Sequence, residues 1–413
     1  MIVTKKKFEE PKREFEEQKT HVVKDSKRLF WHLWTSYATY YFGRVNLSIV
    51  IPVLLATYGL SKYSLGLVSS GFFFAYAAGQ FFHGQFSERF NPFVYIVIGL
   101  IGAAVMNLLL GFSGGFFWVL FILEIFNGLF QSMGWSSTVR AASLVSKDRE
   151  KATCTLGTSY QVGNSIAWLV SSFAVGWFGW QWGFWVAAIF MSLRGITLLA
   201  IAPKVKIKQT SLKHQVKHTL CFSIIISGIS LGLLNMIRYG VIVWIPTFLY
   251  EVQKASITSV GLKIFLIPIA GVLGTLTYNK LKINRDLLTI VYLCFLGLIF
   301  TFYYNLTGII SVVVLILSGF FVYGPHVFLV STFPSRFCDK KIVAASAGFI
   351  DGIGYIGVVL IGVIVPFLLN WGWQIVFLFW AVLCVIMIVM ILILYIYSKR
   401  KKEKIRKLDY LRT

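Results

Sequence analysis

The most constraining feature of the sequence is a series of apolar runs between Leu29 and Tyr397. Each run is roughly 20 residues long, which as a helix is enough to cross a hydrocarbon core about 30 Å thick. Backbone groups inside lipid have no water to bond, so such runs must form helices. The composition agrees, because 57% of the residues are hydrophobic and only 13% are charged, whereas soluble domains carry about 25% charged residues. The sequence therefore predicts an all-α integral membrane protein.

The apolar runs predict twelve membrane-spanning helices, called spans 1 to 12 below. Their predicted ranges are 29–57, 63–87, 93–112, 116–139, 152–176, 182–202, 219–250, 257–279, 287–305, 308–334, 342–368 and 373–398. The predicted organisation is an N-terminal tail (1–28), a six-helix bundle (29–202), a basic central loop (203–218), a second six-helix bundle (219–398) and a C-terminal tail (399–413). An even number of spans places both tails on the same side of the membrane.

The basic residues are unevenly distributed between the two sides of the predicted membrane. Of the 39 Lys and Arg residues, 33 fall in the tails and in the loops on the same side as the tails. Only Lys62 and Lys254 fall in loops on the opposite side. Because cytoplasmic loops carry an excess of Lys and Arg, we expect a multi-pass cell-membrane protein with both termini in the cytoplasm. The net charge of +23 therefore indicates membrane orientation and not nucleic-acid binding.

The two predicted bundles carry the same landmarks, which indicates an internal repeat. Arg44 precedes Pro52 in span 1 as Arg238 precedes Pro246 in span 7, with an offset of 194 residues. Two further landmarks repeat at similar offsets: Gly-Trp-Gln at 179 and 372 (offset 193), and the glycine pairs Gly157 with Gly163 and Gly348 with Gly354 in spans 5 and 11 (offset 191). Pseudo-symmetric six-helix halves with a binding site between them are typical of secondary transporters.

Two arginines are predicted to lie inside the membrane at equivalent places in the two halves. Arg44 lies near the middle of span 1 and Arg238 near the middle of span 7. Charged side chains in the bilayer interior are costly, face the inside of the bundle and are usually functional. Guanidinium groups donate planar, bidentate hydrogen bonds that match phosphate and carboxylate oxygens. We expect the pair to hold a small anion between the halves. The alternative is that each arginine pairs with an acid of another span, Glu124 or Asp351.

Other side chains extend this expectation. Asp351 lies beside glycines in span 11, where it either pairs with a site arginine or carries a coupling proton. Tyr37 and Tyr41 share a helix face with Arg44, where they either orient an anion or form a packing stripe. No group of residues has the spacing of a metal site, a nucleotide-binding loop or a nucleophile with its base. We therefore expect no cofactor and no enzymatic activity.

Several segments spread along the chain form a recognisable pattern. They are YYFGRVN around Arg44, GQFSERFNP (84–92), FQSMGW (130–135) followed by Arg140, RYGVIVWIPTFL from Arg238, GFFVYGP (319–325) and AGFIDGIGYIG (347–357). In the second of these segments, Glu88 and Arg89 match the loop signature that follows span 2 in the major facilitator superfamily. Taken together, the segments resemble the organophosphate:phosphate antiporters of that superfamily, which include the glycerol-3-phosphate and hexose-phosphate transporters.

The resemblance implies that Arg44 and Arg238 hold a phosphoryl group and that the two halves rock to give alternating access. The tyrosines that it places along the cavity are Tyr37, Tyr41, Tyr76, Tyr323 and Tyr355. The residues expected to act in coupling or gating are Asp351, Glu88, Arg89 and Arg140.

The chain also departs from the glycerol-3-phosphate transporters at three positions near this site. Gln80 stands where those transporters have a lysine, Tyr160 where they have a histidine, and Pro268 where they have an acid. We expect Gln80 and Tyr160 to contact the substrate. The loss of two basic side chains favours a less charged anion or a bulkier sugar phosphate.

The expected function is exchange of a phosphorylated metabolite for inorganic phosphate by a monomeric antiporter in a lipid bilayer. Two alternatives remain open. One is proton-coupled symport of a carboxylate such as a sugar acid, with Asp351 as the proton carrier. The other is sensing of a sugar phosphate by a protein that has the transporter fold.

Overall fold

The computed structural model describes residues 26–86, 90–146, 148–203, 222–332 and 343–410. Within these ranges the chain is helical apart from short connections, and it contains no strand. All twelve predicted spans are present, which confirms the predicted all-α architecture. Ten of the twelve spans, taken over their described residues, are long and apolar enough to cross a membrane. The other two, spans 2 and 5, run along the interface between the halves.

The helix boundaries lie close to the predicted ones, with a few differences. The helices are Ser26–Tyr40 with Phe42–Tyr58 (span 1), Lys62–Phe86 (span 2), Pro92–Gly111 (span 3), Phe117–Ser132 with Gly134–Val145 (span 4), Arg149–Phe178 (span 5), Gln181–Ile201 (span 6), Phe222–Glu251 (span 7), Ile257–Ile264 with Leu266–Lys280 (span 8), Arg285–Tyr303 (span 9), Gly308–Val327 continued by a π-helical turn Phe328–Thr332 (span 10), Val343–Leu368 (span 11) and Trp373–Tyr410 (span 12). The last helix continues beyond the predicted end of span 12 at 398 and into the predicted tail.

Spans 1, 4 and 8 are each divided into two helices, which the apolar pattern did not predict. In span 8 the division falls at Phe265, three residues before Pro268. Proline has no backbone N–H, so it cannot donate to the carbonyl of Ile264, and its ring crowds that carbonyl. Hydropathy reports only that a segment is apolar, and it is insensitive to such local breaks.

The polar residues between spans explain where several helices begin. The Asn91 side chain accepts a hydrogen bond from the backbone N–H of Phe93 (3.0 Å), with Pro92 in the first helical turn. Asn284 caps span 9 in the same way through the N–H of Asp286 (2.9 Å). Such caps satisfy the N–H groups that have no partner at a helix start.

Helix packing repeats between the two halves. Span 2 packs on span 4 as span 8 packs on span 10, span 3 on span 6 as span 9 on span 12, and span 1 on span 5 as span 7 on span 11. Across the interface, span 1 contacts span 7, span 2 contacts span 11, and span 5 contacts span 8. The two pseudo-symmetric bundles that the sequence predicted are therefore present. The domain boundary within 203–218 stays a prediction, since residues 204–221 lie outside the described part of the chain.

The landmarks of the repeat have equivalent backbone conformations. Gly179 and Gly372, which precede spans 6 and 12, have φ values of 100° and 99°, a region that side-chain-bearing residues rarely enter. The glycines of spans 5 and 11 do not follow the predicted offset of 191, which would pair Gly163 with Gly354. A Cβ at Gly163 would overlap the backbone of Ala38 in span 1, and a Cβ at Gly357 would overlap that of Gly232 in span 7. Gly163 thus corresponds to Gly357, at the same offset of 194 that relates the two arginines.

The two sides of the membrane are called here the terminal face, where spans 1 and 12 carry the ends of the chain, and the distal face, where spans 1 and 2 are joined. Close contacts between the halves lie toward the distal face. There, Ser70 of span 2 donates a hydrogen bond to the carbonyl of Val359 in span 11 (2.7 Å). On the same side, the Cβ position of Gly261 in span 8 falls against Ser172 of span 5. The halves are therefore closed together at the distal face.

Candidate substrate site

Arg44 is buried between the two halves, with only 6% of its surface exposed. Its guanidinium group lies over the rings of Tyr41 and Tyr76, 4.6 and 4.4 Å from their centroids. Nη1 donates to the Tyr41 hydroxyl (3.1 Å), and Nε donates to Oε1 of Gln131 in span 4 (3.0 Å). Nη2 has no hydrogen-bond partner within the described residues. One edge of the guanidinium group is therefore available to an anion.

Arg238 has an equivalent environment in the second half. It is 9% exposed, and its guanidinium group lies 4.7 Å from the ring centroid of Tyr239 and 5.8 Å from that of Tyr323. Its Nε has no partner among the residues described. A small cavity beside it is lined from the opposite half by Asn164 and Trp168 of span 5. Each arginine thus lies beside a cavity that both halves line, and each has one guanidinium nitrogen without a hydrogen-bond partner among the described residues.

Neither arginine is paired with a carboxylate in the part of the chain that the structure describes. Arg44 binds the neutral amide of Gln131 instead. Glu124 accepts a hydrogen bond from Asn127 in its own helix (2.9 Å), and Asp351 forms no ion pair within the described ranges. The alternative in which each arginine pairs with one of these acids is therefore not what the structure has.

The predicted tyrosines converge on the arginines from both halves. Tyr37 lies 6.0 Å from Tyr41, measured between ring centroids, and Tyr41 lies 6.1 Å from Tyr160. Two ring contacts between these tyrosines cross the interface: Tyr76 with Tyr355 at 5.2 Å, and Tyr160 with Tyr323 at 6.2 Å. The Gln80 amide donates to the Tyr76 hydroxyl (2.5 Å). All nine residues predicted to bind the substrate therefore lie in one connected cluster.

Four residues that the sequence prediction did not name belong to the same cluster. Gln131 binds Arg44, and the Trp135 ring packs at a tilt against that of Tyr37, with 4.9 Å between centroids. Tyr239 lies under Arg238, and Phe73 lies 4.9 Å from Tyr239. Two signals were present in the sequence, because Gln131 and Trp135 belong to the FQSMGW segment and Tyr239 directly follows Arg238. Phe73 has no such signal, since one phenylalanine in an apolar run resembles any other.

The residues predicted to act in coupling or gating are more scattered. Asp351 is half-buried in span 11, one helical turn before Tyr355. Nη1 of Arg140 donates to the carbonyl of Phe90 (3.2 Å), which joins span 4 to the connection before span 3. Glu88 and Arg89 lie outside the described residues.

Comparison with known proteins identifies the family. The profile described as Major Facilitator Superfamily matches residues 33–361. The chain belongs to this superfamily. Its members are transporters and not enzymes, which confirms the expected lack of enzymatic activity.

Three curated relatives of this superfamily member cover most of its length. A probable hexose phosphate transport protein of Chlamydia pneumoniae is 24% identical over 91% of this chain and 93% of its own length. A glycerol-3-phosphate transporter of Bacillus subtilis is 26% identical over 80% of this chain and 83% of its own. The membrane sensor protein UhpC of Escherichia coli is 23% identical over 85% and 89%. The resemblance to the organophosphate antiporters is thereby confirmed.

A solved structure shares the fold of this superfamily member. It is a bacterial homologue of the human lysosomal transporter Spinster, in an inward-facing and unoccupied conformation, with a TM-score of 0.73 and 13% identity. The match covers 91% of this chain and 97% of that protein. At this identity the likeness concerns the fold alone.

Proposed function

We propose that this protein moves a phosphorylated metabolite across the cell membrane in exchange for inorganic phosphate, by alternating access. The observation that carries the proposal is the pair of buried arginines on equivalent helices, neither of them in an ion pair with a carboxylate in the described chain. A buried charge without a partner is strongly destabilising. A phosphoryl group has several equivalent oxygens, so two planar guanidinium groups can bind it from opposite sides.

The charge of the site favours a single phosphoryl group. Gln80, Tyr160 and Pro268 are neutral side chains at positions where the glycerol-3-phosphate transporters have charged ones. Among the described residues, the cations of this cluster are Arg44 and Arg238, and two such charges balance one phosphate dianion. The surrounding tyrosine hydroxyls can donate to the remaining phosphate oxygens.

Exchange, as opposed to one-way release, follows from the cost of an empty site. When the halves close around the arginines without an anion, both guanidinium groups are desolvated and neither has an anion in direct contact. Binding of either an organic phosphate or inorganic phosphate removes this penalty. The loaded protein should therefore switch between its two conformations faster than the empty one. Under that condition, transport of one anion in one direction requires transport of another in the opposite direction.

Counterflow in proteoliposomes tests the function directly. Vesicles preloaded with inorganic phosphate should take up labelled glucose 6-phosphate or glycerol 3-phosphate only when the protein is present. A matched control is Arg194→Lys, because Arg194 lies in span 6 and binds Ser36 (2.8 Å) and His32, away from the interface. Uptake that needs no internal phosphate and follows a pH gradient would instead support proton-coupled symport.

A second candidate function is sensing, and the similarity to a membrane sensor protein favours it. A sensor with this fold would bind the same anion through the same arginines but turn over slowly. The two functions differ in flux, since a sensor binds phosphorylated ligands with little counterflow. Binding measured beside counterflow on one preparation distinguishes them.

A further inference from the structure

Glu124 is a buried acid that the proposed clamp does not use. It lies in span 4 and is 2% exposed. Its Oε2 accepts a hydrogen bond from the Asn127 amide (2.9 Å), whereas Oε1 has no partner among the described residues. A carboxyl group this deep in a membrane protein is costly to keep ionised unless a positive charge lies near.

A chain of hydrogen bonds connects this acid to Arg44. Nε of Arg44 donates to Oε1 of Gln131 (3.0 Å), and Nε2 of Gln131 donates to Oδ1 of Asn127 (3.4 Å). Nδ2 of Asn127 then donates to Oε2 of Glu124 (2.9 Å). Every bond runs in the same direction, from the cation to the acid. In such chains each hydrogen bond polarises the next, so the electrostatic states of the two ends are coupled.

Arg44 and Glu124 also face the same small cavity. The other residues that line it are Val45, Leu47, Ser48, Ile51, Ser69, Phe72, Phe73, Ile242 and Val243. None of these is titratable. Asn107 of span 3, which donates a hydrogen bond to Oδ1 of Asn127 (3.2 Å), is also neutral. Tyr41 and Tyr76 lie against the guanidinium group of Arg44. Among the residues that line this cavity with Glu124, Arg44 is therefore the one that carries a charge.

We propose that Glu124 is a proton-binding site linked to occupancy of the arginine clamp. With no anion bound, the Glu124 carboxylate balances Arg44 across the shared cavity and through the amide relay. When an anion binds Arg44, it neutralises this charge, and the carboxylate then takes up a proton from solvent. Release of the anion returns the proton. The inference rests on the proposed function, because it requires that Arg44 binds an anion.

Charge balance gives this site a role in transport. A phosphate dianion on two arginines, with an ionised carboxylate beside one of them, leaves an excess negative charge inside the protein. One proton on Glu124 removes that charge, so the closed, loaded state carries the anion and a proton together. This site lies in the first half, and it is separate from Asp351 in the second half.

Calorimetric titration of the full-length protein with inorganic phosphate tests the inference. It is performed at mildly alkaline pH in two buffers with different ionisation enthalpies, which reports the protons taken up. The wild type should take up about one proton per phosphate bound, and its affinity should fall by up to about tenfold for each unit that the pH rises. Glu124→Gln keeps the acceptor for Asn127 and should lose most of this uptake and of the pH dependence.

Two further variants complete the test. Glu124→Asp keeps an ionisable group and should retain proton uptake. Glu251→Gln changes an acid of the second half outside the relay, so although it removes the ion pair with Lys62, it should take up as many protons per phosphate bound as the wild type. If Glu124→Gln takes up as many protons as the wild type with the same pH dependence, the proton binds the phosphate or another acid and the inference is wrong. Failure of the folded wild type to bind phosphate would refute the proposed function itself.

Discussion

Lys62 and Glu251 form an ion pair that joins the two halves at the distal face, with Nζ 2.7 Å from Oε2. Trp373 takes part in the same contact, because its Nε1 donates to that carboxylate oxygen (3.3 Å) and its ring lies 5.7 Å from the Lys62 ammonium. Lys62 begins span 2, whereas Glu251 and Trp373 belong to the second half. The contact must therefore break when the halves separate at the distal face.

Reversing one charge of this pair should open the distal face. We expect Glu251→Lys to raise the population of the distally open state about two- to fivefold, since partly exposed ion pairs contribute about 0.2–1 kcal/mol. Electron paramagnetic resonance distances between labels at the distal ends of spans 2 and 11 measure that population. Adding Lys62→Glu should restore the wild-type distribution. A double variant as open as the single one would contradict a direct contact.

The crossing of spans 2 and 11 depends on two glycines in backbone contact. A Cβ at Gly66 would overlap the carbonyl of Gly362, and a Cβ at Gly362 would overlap the Ser70 hydroxyl. Overpacking costs about 1–3 kcal/mol, so Gly362→Val should depopulate the distally closed state about fivefold or more. Counterflow should fall accordingly while phosphate still binds. The control is Gly157→Ala, where a Cβ meets no atom within 4 Å, and transport should be unchanged.

The arginine pair should not tolerate lysine. Arg44→Lys and Arg238→Lys keep the charge but lose the planar fork, so each should weaken phosphate binding by at least about tenfold, or about 1.4 kcal/mol. The double variant should bind only modestly less well than either single one, because both residues act on one ligand. Binding by detergent-solubilised protein measures the effect. Arg194→Lys should bind normally, and near-wild-type affinity in either site variant would rule out the clamp.

Replacing Asp351 should affect proton-coupled uphill uptake and phosphate counterflow differently. If it carries a coupling proton, Asp351→Asn should abolish uphill uptake and leave phosphate counterflow intact. The physical reason is that an amide cannot take up a proton yet fills the same space. Uptake against a gradient and counterflow, measured in the same proteoliposomes, decide the matter. A parallel decline of both would assign Asp351 a structural role instead.

The charge asymmetry predicts the orientation of the chain. Because 33 of the 39 basic residues fall in the tails and in the loops predicted to lie on the same side, peptide tags at both termini should be accessible only from the cytoplasm. Antibody labelling of intact and permeabilised cells measures this. A tag detected on intact cells would reverse the assignment.

Much of the fold and part of the site could be predicted from local properties of the chain. Membrane spans follow from the length of apolar runs, because lipid imposes the same requirement on every segment. The repeat follows from Arg44 with Pro52 and Arg238 with Pro246, which recur at one offset. Charge within an apolar run is rare enough to mark Arg44 and Arg238 as site candidates without any contact information.

The contact partners of individual side chains, in contrast, depend on how helices distant in the sequence are rotated against each other. The sequence alone does not distinguish Glu124 from Gln131 as the hydrogen-bond partner of Arg44, since both lie on span 4. Only the packing decided that Arg44 binds the amide directly and reaches the acid through a relay. The pairing of glycines in spans 5 and 11 was mispredicted for the same reason, because the backbone that approaches Gly357 is contributed by span 7.

The sequence by itself determined that this protein is a two-fold repeated, twelve-helix membrane protein with two arginines inside the bilayer. These properties depend on composition and spacing along the chain. The tertiary structure alone decided that those arginines meet tyrosines from both halves, that Glu124 shares a cavity with Arg44, and that Lys62 pairs with Glu251. Those relationships are set by the rotation of each helix about its axis and by the contact between halves, and neither quantity is encoded in any single segment.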